Sequence, residues 1–118
     1  MSSHKMIKVL LRDYGNSELT QSLMAHLVNM EIPLDFRVCD KGEDFTDVTY
    51  QLAILAPPKE SYLDAEAFIN HKHNAKKKII ILFDDGVDLA TIVRFLDNQN
   101  VDQILVQKYN WLDNLRTI

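Results

Sequence analysis

The sequence predicts a single α/β domain whose five-stranded parallel sheet is doubly wound, with helices on both faces. Two observations lead to this fold class. Short apolar runs such as KIIILF, residues 78–83, lack the polar alternation of a strand with one wet face, and are typical of strands covered on both sides. Between these runs, apolar residues recur every three or four positions, as on one face of a helix. Strands that alternate with helices form parallel βαβ units with right-handed crossovers.

The first half of the chain contains three predicted strands and one long helix. The strands are predicted at residues 6–11, 34–38 and 51–56. Asn16 or Ser17 can cap the helix, because a side-chain oxygen at that position accepts a hydrogen bond from a free amide of the first turn. The inner face of the helix is predicted from its leucines, which are Leu19, Leu23 and Leu27. Residues 41–50 leave room for only a turn or two of helix. Pro57 and Pro58 end the third strand, since proline cannot extend a ladder.

The second half contains two further strands, at 78–83 and 103–106, and three helices. The first of these helices is predicted to bury Leu63, Ala67 and Phe68. Asp88 can cap the next, whose apolar side consists of Leu89, Ile92, Val93 and Leu96. Asn110 can cap the last, whose apolar residues are Trp111, Leu112, Leu115 and Ile118.

Five βα units in 118 residues favour the flavodoxin-like strand order 2-1-3-4-5. We assign the domain to residues 6–118, after a polar leader at 1–5. The last helix ends after about two turns, so we expect it to continue in a longer protein.

Composition excludes several classes of protein. The net charge of −4 argues against nucleic-acid binding, which normally uses a basic surface. A single cysteine, Cys39, excludes an internal disulfide and fits a reducing compartment. The apolar runs are far shorter than the roughly 18 residues that span a membrane, so we expect a cytoplasmic domain. We expect neither a metal nor a cofactor. His71 and His73 do not share a helix face, and the aspartates at 84, 85 and 88 lack the spacing of a calcium loop.

The carboxyl-terminal stretch VDQILVQKYNWLDNL, residues 101–115, resembles the receiver domain of bacterial response regulators. In that family the last strand ends in lysine, proline and an aromatic residue, and a capped helix follows. The stretch VLLRDYGNSEL, residues 9–19, is similar to the family's first strand, acidic pair and first helix. LAILAPP, residues 52–58, occupies the place of the strand that carries the phosphorylated aspartate. The resemblance covers nearly the whole chain and implies signal transduction in a two-component system.

The resemblance also implies that the phosphoryl chemistry of the family is lost. The family's acidic pair falls on Asp13 and Tyr14, its phospho-acceptor on Ala56 and its lysine on Gln107. Alanine cannot form an acyl phosphate, one carboxylate is a poor Mg²⁺ site, and glutamine brings no positive charge to a phosphoryl oxygen. The chain is therefore expected to be a pseudo-receiver and not an enzyme, with these four residues as a vestigial phosphorylation pocket.

Such a domain would act through protein–protein contacts. In the family, partners dock on the face formed by the fourth helix, the fifth strand and the fifth helix. Here that face holds Leu105, Tyr109 and Trp111, and large aromatic residues are enriched among interface anchors. The expected partner is a signalling protein, an output or kinase domain, or a second copy of the chain.

Two alternatives remain open. The stretch RDYGNSEL, residues 12–19, has the Gly-x-Ser layout of a phosphate-cradling loop and is similar to IIB domains of sugar phosphotransferase systems. The cysteine nucleophile of those domains falls on Arg12 or Asp13, so this alternative also lacks its nucleophile. The other alternative is a flavodoxin-like ligand-binding module.

Overall fold

The structure, a computed structural model, describes residues 7–15, 17–29, 34–40, 42–84 and 86–106. These contain five strands and three α-helices. In chain order the elements are β1 Ile7–Asp13, α1 Ser17–Val28, β2 Leu34–Asp40, β3 Leu52–Ala56, α2 Tyr62–Asn70, β4 Lys78–Phe83, α3 Leu89–Leu96 and β5 Gln103–Val106. Two short 3-10 turns, Lys59–Ser61 and Lys72–Asn74, flank α2. None of the helices in the described ranges is long and apolar enough to cross a membrane.

All neighbouring strands are parallel, and their order is β2-β1-β3-β4-β5. The predicted α/β class and the predicted strand order are therefore confirmed. Strands β1 and β2 run two residues further than expected, to Asp13 and Asp40. The carboxyl-terminal ends of β1 and β3 lie side by side, because Asp13 pairs with Ala56 in the sheet register.

The core consists of two layers, one on each face of the sheet. Alternate residues of the central strands point to opposite faces, as the pleat requires. One layer packs with α2 and α3, and its strand residues are Leu10, Ala53, Leu55, Ile79, Ile81 and Phe83. The other packs with α1, and its strand residues are Val9, Leu11, Ile54, Ala56, Ile80, Leu82 and Leu105. Double coverage explains why β3 and β4 are unbroken apolar runs.

The predicted inner faces of two helices are only partly correct, since Phe68 of α2 is buried and Ile92 of α3 packs against the core. Helix α2 buries Ala65, Phe68 and Ile69, while Leu63 and Ala67 are exposed. Helix α3 is apolar on most sides, so its periodicity alone does not choose the buried face. Its only fully buried residue is Phe95, whose ring packs against those of Tyr62 and Phe83, with centroids 5.8 Å and 5.4 Å away.

The connection between β2 and β3 contains no helix in residues 42–50, where a turn or two of helix was expected. The side chain of Asp44 accepts hydrogen bonds from both the amide and the hydroxyl of Thr46 and holds the backbone in a turn. Buried Val48 and Tyr50, and partly buried Phe45, pack into the α2 layer. The connection therefore covers the part of the sheet that a helix would otherwise cover.

A buried polar cluster fixes this connection to the end of α2. The hydroxyl of Tyr50 donates to the side-chain oxygen of fully buried Asn74, whose side-chain nitrogen donates to the carbonyl of Phe68 at 2.7 Å. The ammonium group of Lys77 donates to the carbonyl of Tyr50 at 2.9 Å. The side chains of Tyr50, Asn74 and Lys77 thus each have a partner, as buried polar groups usually do.

The double coverage of the central strands predicts the cost of a core truncation. Ile80 lies on β4 between Ile54 of β3 and Gln103 of β5, and its side chain is fully buried. Ile80→Ala should lower the free energy of unfolding by about 2–5 kcal/mol, through lost burial and a cavity. Leu63→Ala, at an exposed site on α2, should change it by less than about 0.5 kcal/mol. Urea unfolding measures both, and similar costs would contradict the packing.

Candidate functional site

The carboxyl-terminal edge of the sheet, at the ends of β1 and β3, is the expected place for a site. Ligands of doubly wound sheets bind beyond this edge at the point where the strand order reverses, which here lies between β1 and β3. The structure brings Asp13, Tyr14 and Ala56 to this point. Gln107, the fourth residue of the predicted pocket, lies outside the described residues.

Asp13 supports the turn that follows β1. Its carboxylate accepts a hydrogen bond from the amide of Gly15 at 2.9 Å. Gly15 has a φ of +94°, a backbone conformation that side chains disfavour, so the turn depends on glycine here. No group of three or more His, Cys, Asp or Glu side chains that could hold a metal ion occurs among the described residues.

Ala56 and Tyr14 do not line a common pocket. The methyl group of Ala56 is 4% exposed and belongs to the α1 layer of the core. Tyr14 is 6% exposed and packs in the α2 layer, on the opposite face of the sheet. The predicted pocket residues are therefore neighbours along the backbone at the edge of the sheet, while their side chains fill two separate parts of the core.

The hydroxyl of Tyr14 is buried and makes no hydrogen bond of normal geometry in the described part of the chain, although the Arg12 guanidinium lies close to it. Burial raises the pKa of Tyr14 from 10.0 to about 12, and the nearby Arg12 cation only partly opposes this rise. The phenol is thus neutral at physiological pH. The side chain acts as packing at the end of β1.

Arg12 is the residue of this region that the sequence did not indicate as important. Its guanidinium carbon lies 5.3 Å from the ring centroid of Phe45 and 5.2 Å from that of Phe68. One terminal nitrogen donates to the carbonyl of Glu43 at 3.1 Å and to the sulfur of Cys39 at 3.3 Å. The cation therefore connects β1 to the β2–β3 connection and to α2 through cation–π and hydrogen-bond contacts. A lone arginine at the end of an apolar strand was the signal available in the sequence.

A small cleft of about 260 Å³ opens at the same edge, between the start of α2 and the β4–α3 connection. Its two carboxylates hold the local backbone. Asp84 accepts from the amide of Gly86 at 3.0 Å, and Asp88 accepts from the amide of Thr91 at 2.8 Å. Asp88 is thus the predicted cap of α3, and its hydrogen bonds from Thr91 lower the pKa of its carboxyl group. The two carboxylates of the cleft therefore stabilise the turn before α3 and the first turn of that helix.

Of the three residues predicted to form an interface, the structure describes only Leu105, on β5. Leu105 is 4% exposed and lies in the α1 layer, so its side chain cannot contact a partner, and this part of the prediction is wrong. The error arose because a four-residue strand does not reveal which of its residues face inward. Tyr109 and Trp111 lie outside the described residues.

Three exposed apolar side chains on α3 form a surface that the sequence analysis placed inside. We call Leu89, Val93 and Leu96 the α3 stripe; they are 74%, 47% and 60% exposed. Their spacing of four and three positions sets them on one helix face. On another side of α3, Arg94 donates to the carboxylate of Glu66 on α2 at 3.0 Å. The α3 stripe therefore lies on a different side of the helix from the contact with α2.

Comparison of the chain with family models, with curated proteins and with solved structures finds no match.

The two tyrosines of the α2 layer provide a matched pair of changes. Tyr14→Phe should leave the free energy of unfolding at about pH 8 unchanged or slightly higher, because it removes a buried hydroxyl that makes no hydrogen bond of normal geometry among the described residues. Tyr50→Phe should cost about 1–3 kcal/mol, because it leaves the side-chain oxygen of Asn74 buried and unpaired. Urea unfolding would refute the assignment if Tyr14→Phe were the more damaging change.

The raised pKa of Tyr14 predicts how stability depends on alkaline pH. The folded state holds this proton more tightly, so the contribution of Tyr14 to stability is complete below its ordinary pKa of 10.0 and is lost as the pH rises towards about 12. Above pH 10.0 the free energy of unfolding should therefore fall less steeply in Tyr14→Phe than in the wild type. Equal slopes, measured by urea unfolding across this range, would show that Tyr14 titrates normally.

Proposed function

We propose that this domain is a protein-docking module in signal transduction that works without phosphoryl transfer. In this proposal it is an atypical receiver of a two-component system. The parallel sheet of order β2-β1-β3-β4-β5 supports the proposal, as does the register that sets Asp13 beside Ala56 at the ends of β1 and β3. These are the places where a receiver carries its acidic pair and its phospho-acceptor.

The observation that carries the proposal is the state of Ala56. Formation of an acyl phosphate needs a carboxylate nucleophile that reaches solvent. At the end of β3 this chain has a methyl group that is buried against the α1 layer. The position thus supplies packing where a working receiver supplies a nucleophile.

The surroundings of Ala56 also favour a role without phosphoryl chemistry. The carboxylate of Asp13 holds the Gly15 turn, and Tyr14, the second position of the acidic pair, is buried on the other face. A hard Mg²⁺ ion prefers several oxygen ligands that carry charge. Gln107 remains a predicted member of this region, and it would bring no positive charge to a phosphoryl oxygen.

The α3 stripe supports the docking role. Contiguous exposed apolar side chains mark interaction sites more often than isolated ones do. In the proposal the α3 stripe replaces Leu105 as the apolar part of the interface. Tyr109 and Trp111, in the stretch that follows β5, remain predicted members of the interface. Partner binding would act by shifting a conformational equilibrium of the proteins involved.

The IIB alternative gains no support from the same residues. Arg12, at the place of its cysteine nucleophile, donates to the carbonyl of Glu43 and packs against the rings of Phe45 and Phe68. Asp13, the other candidate for that place, is bonded to the Gly15 amide.

Treatment with acetyl phosphate and Mg²⁺ should leave the protein unmodified, because Ala56 has no carboxylate. Intact mass spectrometry at neutral pH is the measurement. A response-regulator receiver that is known to accept phosphate serves as the positive control. A gain of one phosphoryl group, mapped to any residue at the ends of β1 or β3, would contradict the proposal.

A further inference from the structure

The outer edge of β2 is open to a further strand. In the described part of the chain β2 pairs with β1 alone, because it is the first strand in the order of the sheet. Each of its seven residues has a register partner on β1, so the strand contains no bulge, and none of the seven is a proline. Bulges, prolines and short length are the usual means by which an edge strand avoids pairing with another chain. Alternate amide and carbonyl groups of β2 therefore point towards an edge that can accept another strand.

The two faces of β2 differ in character. Leu34 and Phe36 are partly buried against the α1 layer, and Val38, on the same face by the pleat of the strand, is 37% exposed. Asp35 and Arg37 lie on the opposite face, and both are exposed. Within the described residues neither of these two side chains forms a hydrogen bond or an ion pair. An acid and a base without partners thus stand one position before and one position after Phe36.

This arrangement of side chains is complementary to itself. In an antiparallel pair of β2 strands with a two-fold axis at Phe36, Asp35 of each copy lies opposite Arg37 of the other. On the second face, Leu34 of each copy lies opposite Val38 of the other, and the two Phe36 side chains are neighbours. Opposite charges and apolar side chains that face each other directly across two strands stabilise their pairing. An edge with charges of one sign would instead repel its own copy.

The other charges near this edge do not oppose the contact. Lys8 is the register neighbour of Asp35 on β1. An open cleft of about 400 Å³ on this face is lined by Lys8, Asp35, Arg37 and Asp47, which are two cations and two anions. Neither copy therefore brings an excess of one sign to the contact. Asp40, four positions from the axis, lies beyond the end of the β2 strand of the second copy and does not face an acidic residue of it.

We propose that two copies of this chain associate through the outer edges of their β2 strands, antiparallel and about a two-fold axis at Phe36. The two five-stranded sheets then form one continuous sheet. Such a contact uses the same surface on both copies, so it closes after two and leaves no β2 edge open. A strand from a different protein would need the same alternation of acid and base in reverse, which the second copy supplies by its own sequence. This inference goes beyond the proposed function and does not rest on it.

Sedimentation velocity of the full chain, from about 1 µM to about 200 µM, measures the association. The wild type should form a dimer as its concentration rises, and added salt should weaken that dimer. Asp35→Arg places an arginine opposite Arg37 of the second copy, and Arg37→Asp places an aspartate opposite Asp35. Each change should raise the dissociation constant by roughly tenfold or more, because like charges then face each other. Asp97→Arg, the same change at an exposed aspartate that ends α3, is the matched control and should leave the dimer unchanged.

A mixture of the two variants tests the register of the contact. An equal mixture of Asp35→Arg and Arg37→Asp places opposite charges at both pairs, so it should form a heterodimer although neither variant dimerises well alone. The double variant Asp35→Arg/Arg37→Asp should associate with itself again, for the same reason. A change that merely damaged the fold would not be rescued in either way. Circular dichroism checks that each variant is folded.

A wild type that stays monomeric over the whole concentration range would overturn the inference and would leave the β2 edge to a strand of another protein. A mixture that fails to associate would also overturn it. So would a dimer that survives both β2 changes but is lost in Val93→Glu, because the contact would then lie on the α3 stripe. The proposed function is tested separately by acetyl phosphate, since a monomeric protein that stays unmodified loses only the β2 contact.

Discussion

Burial of β3 and β4 on both faces is the constraint on which the rest of this structure depends. Each face needs a full layer of cover, and the chain has no helix in residues 42–50 to supply part of it. The β2–β3 connection supplies that cover instead, through Phe45, Val48 and Tyr50. It is held in place by the Arg12 guanidinium at one end and by the hydrogen bond from Tyr50 to Asn74 at the other.

The same packing occupies the edge of the sheet where a doubly wound protein would otherwise bind a ligand. Arg12 and Tyr14 belong to the α2 layer, and Ala56 belongs to the α1 layer. Asp13 holds a turn. Side chains that in a receiver would meet in a polar pocket are therefore committed to the core and to the local backbone. This leaves the outer face of α3 as the surface on which the proposed function depends.

Much of the fold could be predicted from the sequence, because apolar runs and turn residues act locally. The five strands, their order and the Asp88 cap required no knowledge of distant contacts. The buried faces of α2 and α3 could not be predicted in this way, because they depend on distant contacts. In α3, Phe95 is buried instead of the α3 stripe because it packs against the rings of Tyr62 and Phe83. Arg12 was missed for a similar reason, since Cys39, Glu43, Phe45 and Phe68 lie 27 to 56 positions away. Leu105 was assigned to the surface because a short strand gives too little alternation to show which side faces inward.

Site-specific photo-crosslinking in the cells that produce the protein tests the central claim most directly. A photoreactive amino acid is placed at position 93, within the α3 stripe, and separately at positions 13 and 63. The account predicts a covalent adduct with a partner protein from position 93 and none from the other two. Adducts from position 13 without one from position 93 would place the working surface at the ends of β1 and β3, and would contradict the account.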